Sequence, residues 1–279
     1  MTSPATRYAY LGPEGTFTEA ALRQITTAAD ELIPFANVTA ALDAVRAGLV
    51  SKALVPIENS VEGVVARTLD ELANGTQLVI TAETTLPVSF ALMVMPDRVG
   101  QKITRIATHP HAESQCRTYI ARELPGAEMI DTPSTAAAAK SLADGNFDAA
   151  IAAKWAAEKY GRTVIADDIG ENQGAITRFV VAELPGLLPG PTGNDRTSLV
   201  AYIDIDHAGA LLEILTEFAK NGVNLTFIQS RPTGRELGHY HFIMDVEGHI
   251  NDAPVAAAVE GLRAICEDIR FLGSYPRVR

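Results

Sequence analysis

A proline- and glycine-rich stretch from Leu184 to Asp195 constrains the fold of this chain more than any other feature. It reads Leu-Pro-Gly-Leu-Leu-Pro-Gly-Pro-Thr-Gly-Asn-Asp. Proline lacks a backbone donor and glycine favours turns, so neither a helix nor a central strand fits there. Because 279 residues are enough for two domains, we predict a first domain at 1–184, a linker at 185–196 and a second domain at 197–279. Few contacts are expected to cross such a linker.

The residues after the linker predict a ferredoxin-like module with the element order βαββαβ. Strands are expected at 197–204, 224–230, 239–246 and 269–273, and helices at 209–220 and 253–267. Asn221-Gly222 ends the first of these helices, and Pro232-Thr233-Gly234 turns the chain between the two middle strands.

The first domain alternates short apolar strands with alanine-rich helices, which indicates the α/β class. One helix–strand unit, 39–47 followed by 52–57, is similar to a second, 136–143 followed by 148–153. The repeat predicts two similar α/β lobes, and clefts between lobes are common ligand sites. The apolar run 86–95 is predicted to be a single strand.

Polar side chains follow two of the predicted strands. Thr16 begins a capping-box pattern after the first strand, and Asn59, Ser60 and Glu62 follow a later one. We expect a helix to begin at these three residues and to run to Ala73. Ligands of α/β sheets bind at the carboxyl ends of strands, and helix N-termini attract anions. These four side chains are therefore candidates for a binding site.

A loop at 170–176 delivers Thr177-Arg178-Phe179 to the start of an apolar run. Arginine is a fixed fork of donors that suits a carboxylate, and threonine is a stiff hydroxyl that can donate and accept. The pair could serve a site at the edge of a core. Equally, Thr177 could be an ordinary strand residue, and Arg178 could form a structural salt bridge.

Composition excludes several classes of partner. The net charge of -11 argues against nucleic acid and against an anionic membrane surface. Residues 1–7 contain no apolar segment typical of a signal peptide, and Cys116 and Cys266 show neither a disulfide framework nor metal-ligand spacing. We therefore predict a cytoplasmic protein without membrane contact. The chain shows no phosphate-binding loop, dinucleotide fingerprint or zinc motif, so no cofactor and no metal are expected.

The chain resembles the prephenate dehydratase family over essentially its whole length. The matching motifs are Gly12-Pro13-Glu14-Gly15-Thr16-Phe17, Val55-Pro56-Ile57-Glu58-Asn59-Ser60, His109-Pro110, Ser134-Thr135-Ala136 and Thr177-Arg178-Phe179. Beyond the linker, Gly209-Ala210-Leu211 and Ser230-Arg231-Pro232 resemble the ACT regulatory module. The resemblance implies a two-lobed, periplasmic-binding-protein-like catalytic domain followed by an ACT domain.

The resemblance also implies a function, the conversion of prephenate to phenylpyruvate in phenylalanine biosynthesis by a cofactor-free hydro-lyase. It implies that Thr177 acts at the leaving hydroxyl, and it leaves open whether Glu62 or His109 completes a proton relay. The implied catalytic residues are Thr16, Asn59, Ser60, Glu62, His109, Thr177, Arg178 and Phe179. The implied substrate contacts are Thr16, Asn59, Ser60, Ser134, Thr135, Asn172 and Arg178.

Phenylalanine is implied as the effector, bound between paired modules of a homodimer or homotetramer. The expected contacts are Gly209, Ala210, Leu211, Asn224, Gln229, Ser230, Arg231 and Pro232. The chain departs from the family pattern at His111, where glutamine is common, at Ala175, where asparagine is usual, and at Gln229, where glutamate is usual.

Two other functions remain open at the level of sequence. A non-enzymatic binding protein would share the two lobes and the sensing module but would not require the Thr177-Arg178-Phe179 loop. A metal-dependent hydrolase would use the histidine pairs His109/His111 and His239/His241, which lie in separate domains.

Overall fold

The computed structural model describes residues 5–203, 207–233 and 240–278. Its strands are, in chain order, β1 (Arg7–Leu11), β2 (Glu31–Phe35), β3 (Lys52–Asn59), β4 (Gly63–Val64), β5 (Val79–Pro87), β6 (Ala91–Val94), β7 (Arg105–Thr108), β8 (Glu128–Asp131), β9 (Ala149–Ala152), β10 (Thr163–Ala166), β11 (Ile176–Glu183), β12 (Asp195–Tyr202), β13 (Leu225–Pro232), β14 (Tyr240–Glu247) and β15 (Asp268–Pro276). Its helices are α1 (Phe17–Ile25), α2 (Val38–Arg46), α3 (Ala66–Asn74), α4 (Pro110–Glu123), α5 (Thr135–Ser141), α6 (Lys154–Tyr160), α7 (Ala210–Lys220) and α8 (Ala253–Ile265). None of these described helices is long and apolar enough to cross a membrane.

The predicted helix–strand repeat is present in two separate sheets. The first sheet has the strand order β2-β1-β3-β11-β5, with β4 paired to β3, and the second has the order β10-β6-β9-β7-β8. In the first, α2 leads into β3, and in the second, α5 leads towards β9. Each of these two strands is the central one of its sheet and is buried along its apolar stretch. Their continuous apolar sequences follow from burial on both faces.

The prediction of a single strand at 86–95 is wrong. Strand β5 ends at Pro87 in the first sheet, and β6 begins at Ala91 in the second. The chain returns to the first sheet through residues 167–175, between β10 and β11. These two crossover segments, 88–90 and 167–175, are hydrogen-bonded to each other: Val88 donates its N–H to Ala175 O at 2.7 Å, and Ile169 donates to Phe90 O at 2.9 Å. An unbroken apolar run carries no signal for such a change of sheet.

The prediction of a helix beginning at Asn59 is also wrong. Strand β3 continues through Asn59, a tight turn follows, and β4 pairs antiparallel with β3. The Asn59 side-chain oxygen accepts hydrogen bonds from the N–H groups of Val61 and Glu62, at 2.8 and 2.9 Å. Asparagine can satisfy the donors of a turn as well as those of a helix N-terminus, so the local pattern does not distinguish them. The helix itself, α3, begins later, at Ala66.

The predicted βαββαβ module is confirmed. Its sheet has the order β13-β14-β12-β15 with antiparallel pairing throughout, and β13 is an edge strand. Helices α7 and α8 pack together, and Ile214, Phe218, Val255 and Leu262 are buried in the module's core. The strand predicted to start at His239 is described from Tyr240 onward, and His239 lies outside the described residues.

Packing divides the chain into two compact units. The first unit comprises residues 1–41, 54–64 and 84–179, and the second unit comprises 42–53, 65–83 and 180–279. Helix α3 therefore shares the second unit with the module that follows the linker.

The expectation of few contacts across the linker is wrong, because α3 is bonded to that module. The Arg231 guanidinium forms a two-pronged ion pair with Asp70 of α3, at 2.9 and 2.7 Å. Arg270 donates to the carbonyl oxygens of Leu72 and Gly75, at 3.2 and 2.7 Å. The last carbonyl oxygens of a helix have no intrahelical donor, so they can accept hydrogen bonds from an arginine side chain that reaches that end.

The closest backbone approach in the second unit predicts a large stability effect. Gly273 of β15 has φ +144°, and a Cβ atom there would lie 2.1 Å from Ile80 O of β5. Gly273→Ala should therefore destabilise the protein by about 3 kcal/mol or more, measured by urea unfolding. Gly190→Ala is the control, because no atom lies within 4 Å of its Cβ position, and a change within about 0.5 kcal/mol is expected. Equal losses at the two glycines would contradict this account.

Candidate functional site

The first unit contains a cavity of about 320 Å³, and residues from the polar motifs of the sequence line it. Residues from the loops and helices of both sheets line it. They are Leu11, Gly12, Thr16, Phe17, Thr18, Ala36, Asn59, Val88, Phe90, His109, His111, Ala112, Gln115, Pro133, Ser134, Thr135 and Thr177. The lining contains no lysine or arginine among the residues that the structure describes.

Thr177 and Asn59 form a direct hydrogen bond at the cavity wall. The Asn59 amide nitrogen donates to the Thr177 hydroxyl oxygen at 2.8 Å. The orientation of the amide is fixed, since its oxygen already accepts the N–H groups of Val61 and Glu62. The Thr177 oxygen therefore acts as an acceptor towards Asn59, and its own proton is left to be donated. Thr177 is buried, with 8% of its surface exposed, so its hydroxyl is held in a confined space.

Three helices begin at this cavity. Thr16 caps α1 by accepting the N–H of Glu19 at 3.3 Å, and Ser134 caps α5 by accepting the N–H of Ala137 at 3.0 Å. His109 caps α4 in the same way, through Nδ1. All three capping residues line the cavity. Helix N-termini carry partial positive charge, so their convergence favours an anionic ligand.

Glu62 does not line the cavity, but its carboxylate contacts two residues of α4 that do. Its carboxylate accepts the Gln115 side-chain amide at 2.8 Å and lies 3.8 Å from His111 Nδ1. Gln115 is buried, and the two α4 residues line the cavity. Sequence reasoning missed Gln115. Its spacing of four residues from His111, which puts both on one helix face, is the signal that could have found it.

His109 is the better placed of the two candidate relay groups to meet a ligand, because it lines the cavity whereas Glu62 does not. Partial burial, helped by the neighbouring His111, lowers the pKa of His109 below its ordinary value, although Asp131 acts in the opposite direction. The neutral imidazole is therefore favoured at neutral pH.

Besides Glu62, four of the predicted catalytic and substrate-contact residues lie outside the described cavity lining. The Ser60 hydroxyl accepts the N–H of Ile176 at 2.9 Å and so fastens the turn to β11. Arg178 is buried and forms an ion pair with Glu58 at 3.3 Å. Phe179 belongs to the core, and Asn172 is exposed. The apolar wall, formed by Phe17, Val88, Phe90 and Ala112, was not predicted.

The described residues contain no group of three or more histidine, cysteine, aspartate or glutamate side chains that could hold a metal ion. His109 and His111 stack edge-on at 5.0 Å. His241, which the sequence paired with His239, is completely buried.

Residues 8–184 match the model of the prephenate dehydratase family, and residues 198–264 match that of the ACT domain. The chain belongs to the prephenate dehydratase family. A prephenate dehydratase of Amycolatopsis methanolica is 46% identical over 272 residues, covering 97% of this chain and 88% of that one.

Two solved structures share this fold over nearly the whole chain. Prephenate dehydratase of Arthrobacter aurescens, in complex with L-Phe, is 48% identical, with a TM-score of 0.90 and coverage of 97% of this chain and 90% of that one. A second structure, described as a quorum-quenching acylase, is 29% identical, with a TM-score of 0.86 and coverage of 98% of each chain.

The ACT residues named from the sequence occupy two places. Gly209 is the N-cap of α7, with φ +100°, and α7 has no side-chain cap among the described residues. On the edge strand β13, the Gln229 amide donates to Ser230 O at 3.0 Å, and Arg231 is engaged by Asp70. Asn224 precedes this strand, and its carbonyl oxygen accepts the N–H of Glu247.

The lowered pKa of His109 predicts a dependence of stability on pH. Between the folded-state pKa and the ordinary value near 6.5, the unfolded chain binds more protons, so stability falls as the pH falls through that window. His109→Gln should therefore lose less Tm between about pH 7.5 and pH 5.5 than the parent protein does.

Differential scanning calorimetry at the two pH values measures this difference. His111→Gln should reduce the slope less than His109→Gln does, because His111 only assists the burial that lowers the pKa of His109. Burial also lowers the pKa of His241, so part of the slope should survive in the variant. An unchanged slope in His109→Gln would contradict the assignment.

Proposed function

We propose that this chain is a prephenate dehydratase, a hydro-lyase that converts prephenate to phenylpyruvate in L-phenylalanine biosynthesis. The observation that carries the proposal is the Thr177 hydroxyl, which accepts the Asn59 amide and keeps its proton for a ligand in the cavity. The departing ring hydroxyl of prephenate is such an acceptor. Family membership and the relative at 46% identity support the same reaction.

The reaction breaks the bond between a ring carbon and one carboxylate, which leaves as carbon dioxide. The released electron pair completes the aromatic ring, while the ring hydroxyl leaves and takes up a proton to become water. Because the gained aromaticity drives both steps, the protein has to position the substrate and stabilise the departing group. This chemistry requires no metal and no organic cofactor.

Anchoring of the two carboxylates is assigned to the helix N-termini. Thr16, His109 and Ser134 are the N-caps of α1, α4 and α5 and line the cavity, so the positive ends of three helix dipoles lie beside a ligand there. Thr135 and Asn59 add polar atoms to the same lining.

The apolar wall serves the carboxylate that departs. Phe17 and Phe90 stack edge-on at 5.7 Å, and Val88 and Ala112 line the cavity with them. A carboxylate held against apolar side chains is poorly solvated, which favours loss of its charge as carbon dioxide. We therefore assign substrate contact to the lining residues.

The remaining members of the predicted set hold the site together. Ser60 bonds the turn that follows β3 to Ile176 of β11, and Arg178 of β11 forms an ion pair with Glu58 of β3. Glu62 positions Gln115, whereas Phe179 fills the core and Asn172 lies in the loop that leads to Thr177.

An acylase activity, which the second solved structure suggests, has less support in this cavity. Hydrolysis of an acyl group by a hydroxyl nucleophile requires a base within hydrogen-bond reach of that hydroxyl. The Thr177 hydroxyl contacts the Asn59 amide, which is a donor and not a base.

Regulation by L-phenylalanine is proposed for the ACT module, since the Arthrobacter aurescens relative was solved with L-Phe. The effector carboxylate would bind at the N-terminus of α7, where Gly209 lets it approach the backbone and Ala210 and Leu211 follow. Its ammonium group would meet acceptors near Asn224 and along Gln229, Ser230, Arg231 and Pro232 of β13. Arg231 would act by holding the strand, since Asp70 already engages its guanidinium.

A homodimer or homotetramer is proposed from the edge strand of the module. Residues of β13 alternate between half-buried and exposed, and Ile228 and Leu212 are exposed apolar side chains nearby in the module. An unpaired edge beside apolar side chains invites a second copy.

We also propose domain limits and a cellular compartment for this chain. We assign 1–184 to catalysis, 185–196 to the linker and 197–279 to regulation, and we place the protein in the cytoplasm. Neither Cys116 nor Cys266 forms a disulfide, which supports a reducing compartment. Burial raises the pKa of Cys116 to about 12 and that of Cys266 to about 11, so neither is a reactive thiolate.

Replacement of Thr177 tests the catalytic assignment. Thr177→Ala should lower the kcat for prephenate by roughly 10²–10³-fold, because one preorganised donor is lost. Thr177→Ser should retain more activity, since its hydroxyl remains. Phenylpyruvate absorbance measures the rate, and Thr104→Ala, which removes a surface hydroxyl that contacts Asp148, is the control. Near-normal turnover in Thr177→Ala would remove this residue from the mechanism.

Replacement of Gly209 tests the effector site. Gly209→Val should weaken L-phenylalanine binding at least about tenfold in titration calorimetry, because the side chain blocks the backbone donors. Gly222→Val is the matched control, since Gly222 also has a positive φ, +67°, beyond the other end of α7. The two variants carry similar backbone strain, so equal phenylalanine affinities would show that the effector binds elsewhere.

A further inference from the structure

Helix α6 joins the two sheets of the first unit at a place that the catalytic assignments do not use. Ala156 and Ala157 bury one face of α6 in the core of the second sheet. Its residues Trp155, Lys159 and Tyr160 contact the loop before α1 and α1 itself, both of which follow β1 of the first sheet.

Tyr160 lies directly on that loop. Its hydroxyl donates a hydrogen bond to Glu14 O. Gly15 has φ +85°, and a Cβ atom there would lie 2.8 Å from the Tyr160 ring. The ring therefore occupies the space that a side chain at position 15 would need. The same loop carries Gly12 and Thr16 into the cavity lining.

Charged groups surround this contact. Lys159 lies 3.3 Å from the Glu14 carboxylate and 3.7 Å from that of Glu19. Glu19 is buried, which opposes its ionisation, but bonds from the Gly15 N–H and from Arg23, together with the nearby Lys159, lower its pKa. The carboxylate thus stays charged between the two sheets.

Trp155 completes the contact. The Arg23 guanidinium lies 5.4 Å from the centre of its ring, in cation–π geometry. The indole nitrogen is buried and has no hydrogen-bond partner among the described residues. Trp155 is the only tryptophan in the sequence.

We propose that Trp155, Lys159 and Tyr160 form a latch that holds the second lobe closed on the Glu14–Thr16 loop and thereby sets the affinity for substrate. The crossover segments 88–90 and 167–175 connect the lobes covalently, and the latch joins them without a covalent link. Tyr160 and Lys159 are positioning residues, which reach the substrate only through the loop that bears Thr16. This inference rests on the proposed function.

The effect on affinity follows from the closed fraction. A ligand contacted from both lobes binds the closed state, so its apparent dissociation constant is the intrinsic one divided by the fraction of closed molecules. Loss of one hydrogen bond or ion pair lowers that fraction. The latch variants should therefore raise KM while leaving kcat unchanged or faster, since opening also releases product.

Kinetics of four variants test this split. Tyr160→Phe and Lys159→Met should each raise the KM for prephenate roughly three- to tenfold, with kcat at or above that of the parent. Tyr119→Phe and Lys140→Met are the matched controls: Tyr119 packs within the second lobe, and Lys140 is an exposed residue of α5 in that lobe. Their KM should be unchanged.

Fluorescence of Trp155 gives a readout that does not depend on turnover. Without any ligand, the two latch variants should emit at longer wavelength and should be quenched more strongly by acrylamide than the parent. The two controls should match the parent, and thermal unfolding should give similar Tm values for all five proteins.

Kinetics and fluorescence together distinguish a failure of this inference from a failure of the proposed function. A fluorescence shift in a protein that does not convert prephenate would support the latch and refute the dehydratase assignment. Unchanged emission and quenching in both latch variants would overturn the latch, and so would a fall in kcat at constant KM.

Discussion

The orientation of one amide group fixes which hydrogen bonds the Thr177 hydroxyl can make. Two backbone N–H groups hold the Asn59 oxygen, so its nitrogen must face Thr177 and donate to the hydroxyl. That single constraint leaves the Thr177 proton available for a ligand. It also explains why the chain forms a turn after β3: the turn supplies the two N–H groups, and Gly63 with φ +82° lets the chain reverse into β4.

The pairing of strands brings these partners together from distant parts of the sequence. Asn59 is the last residue of β3, Thr177 is the second residue of β11, and the two strands are neighbours in the first sheet. Arg178 binds Glu58 across the same pair, and Ser60 binds Ile176, so three contacts fix the register at the cavity. Arg178 therefore contributes as a clamp between strands, and the cavity is left without its charge.

The sequence predicts the parts of the site that depend on local patterns. Thr16 and Ser134 stand in capping positions, and Asn59 and Thr177 stand at strand ends, so each could be recognised within a few residues of chain. Val88 and Phe90 could not, because they reach the cavity only through the crossing between sheets. Gln115 could be found only from its helical spacing to His111, since the orientation of α4 brings both to the cavity. The change of sheet after Pro87 lies inside an unbroken apolar run, and the turn at Asn59 uses the same capping chemistry as a helix. Local patterns are ambiguous wherever tertiary pairing decides the outcome.

The cavity favours an anion in spite of the charge of the whole chain. A net charge of -11 repels a dicarboxylate at long range, but salt screens that repulsion beyond about 8 Å. Inside the cavity the field comes from helix N-termini, whose dipoles are fixed by the backbone. No lysine or arginine lines the described cavity, so neither carboxylate would be fixed by a full ion pair there. A cation would stabilise the starting carboxylate more than neutral carbon dioxide and would slow its departure. Helix dipoles can hold a carboxylate without neutralising its charge. They therefore suit a reaction in which one of the two bound carboxylates must leave as carbon dioxide.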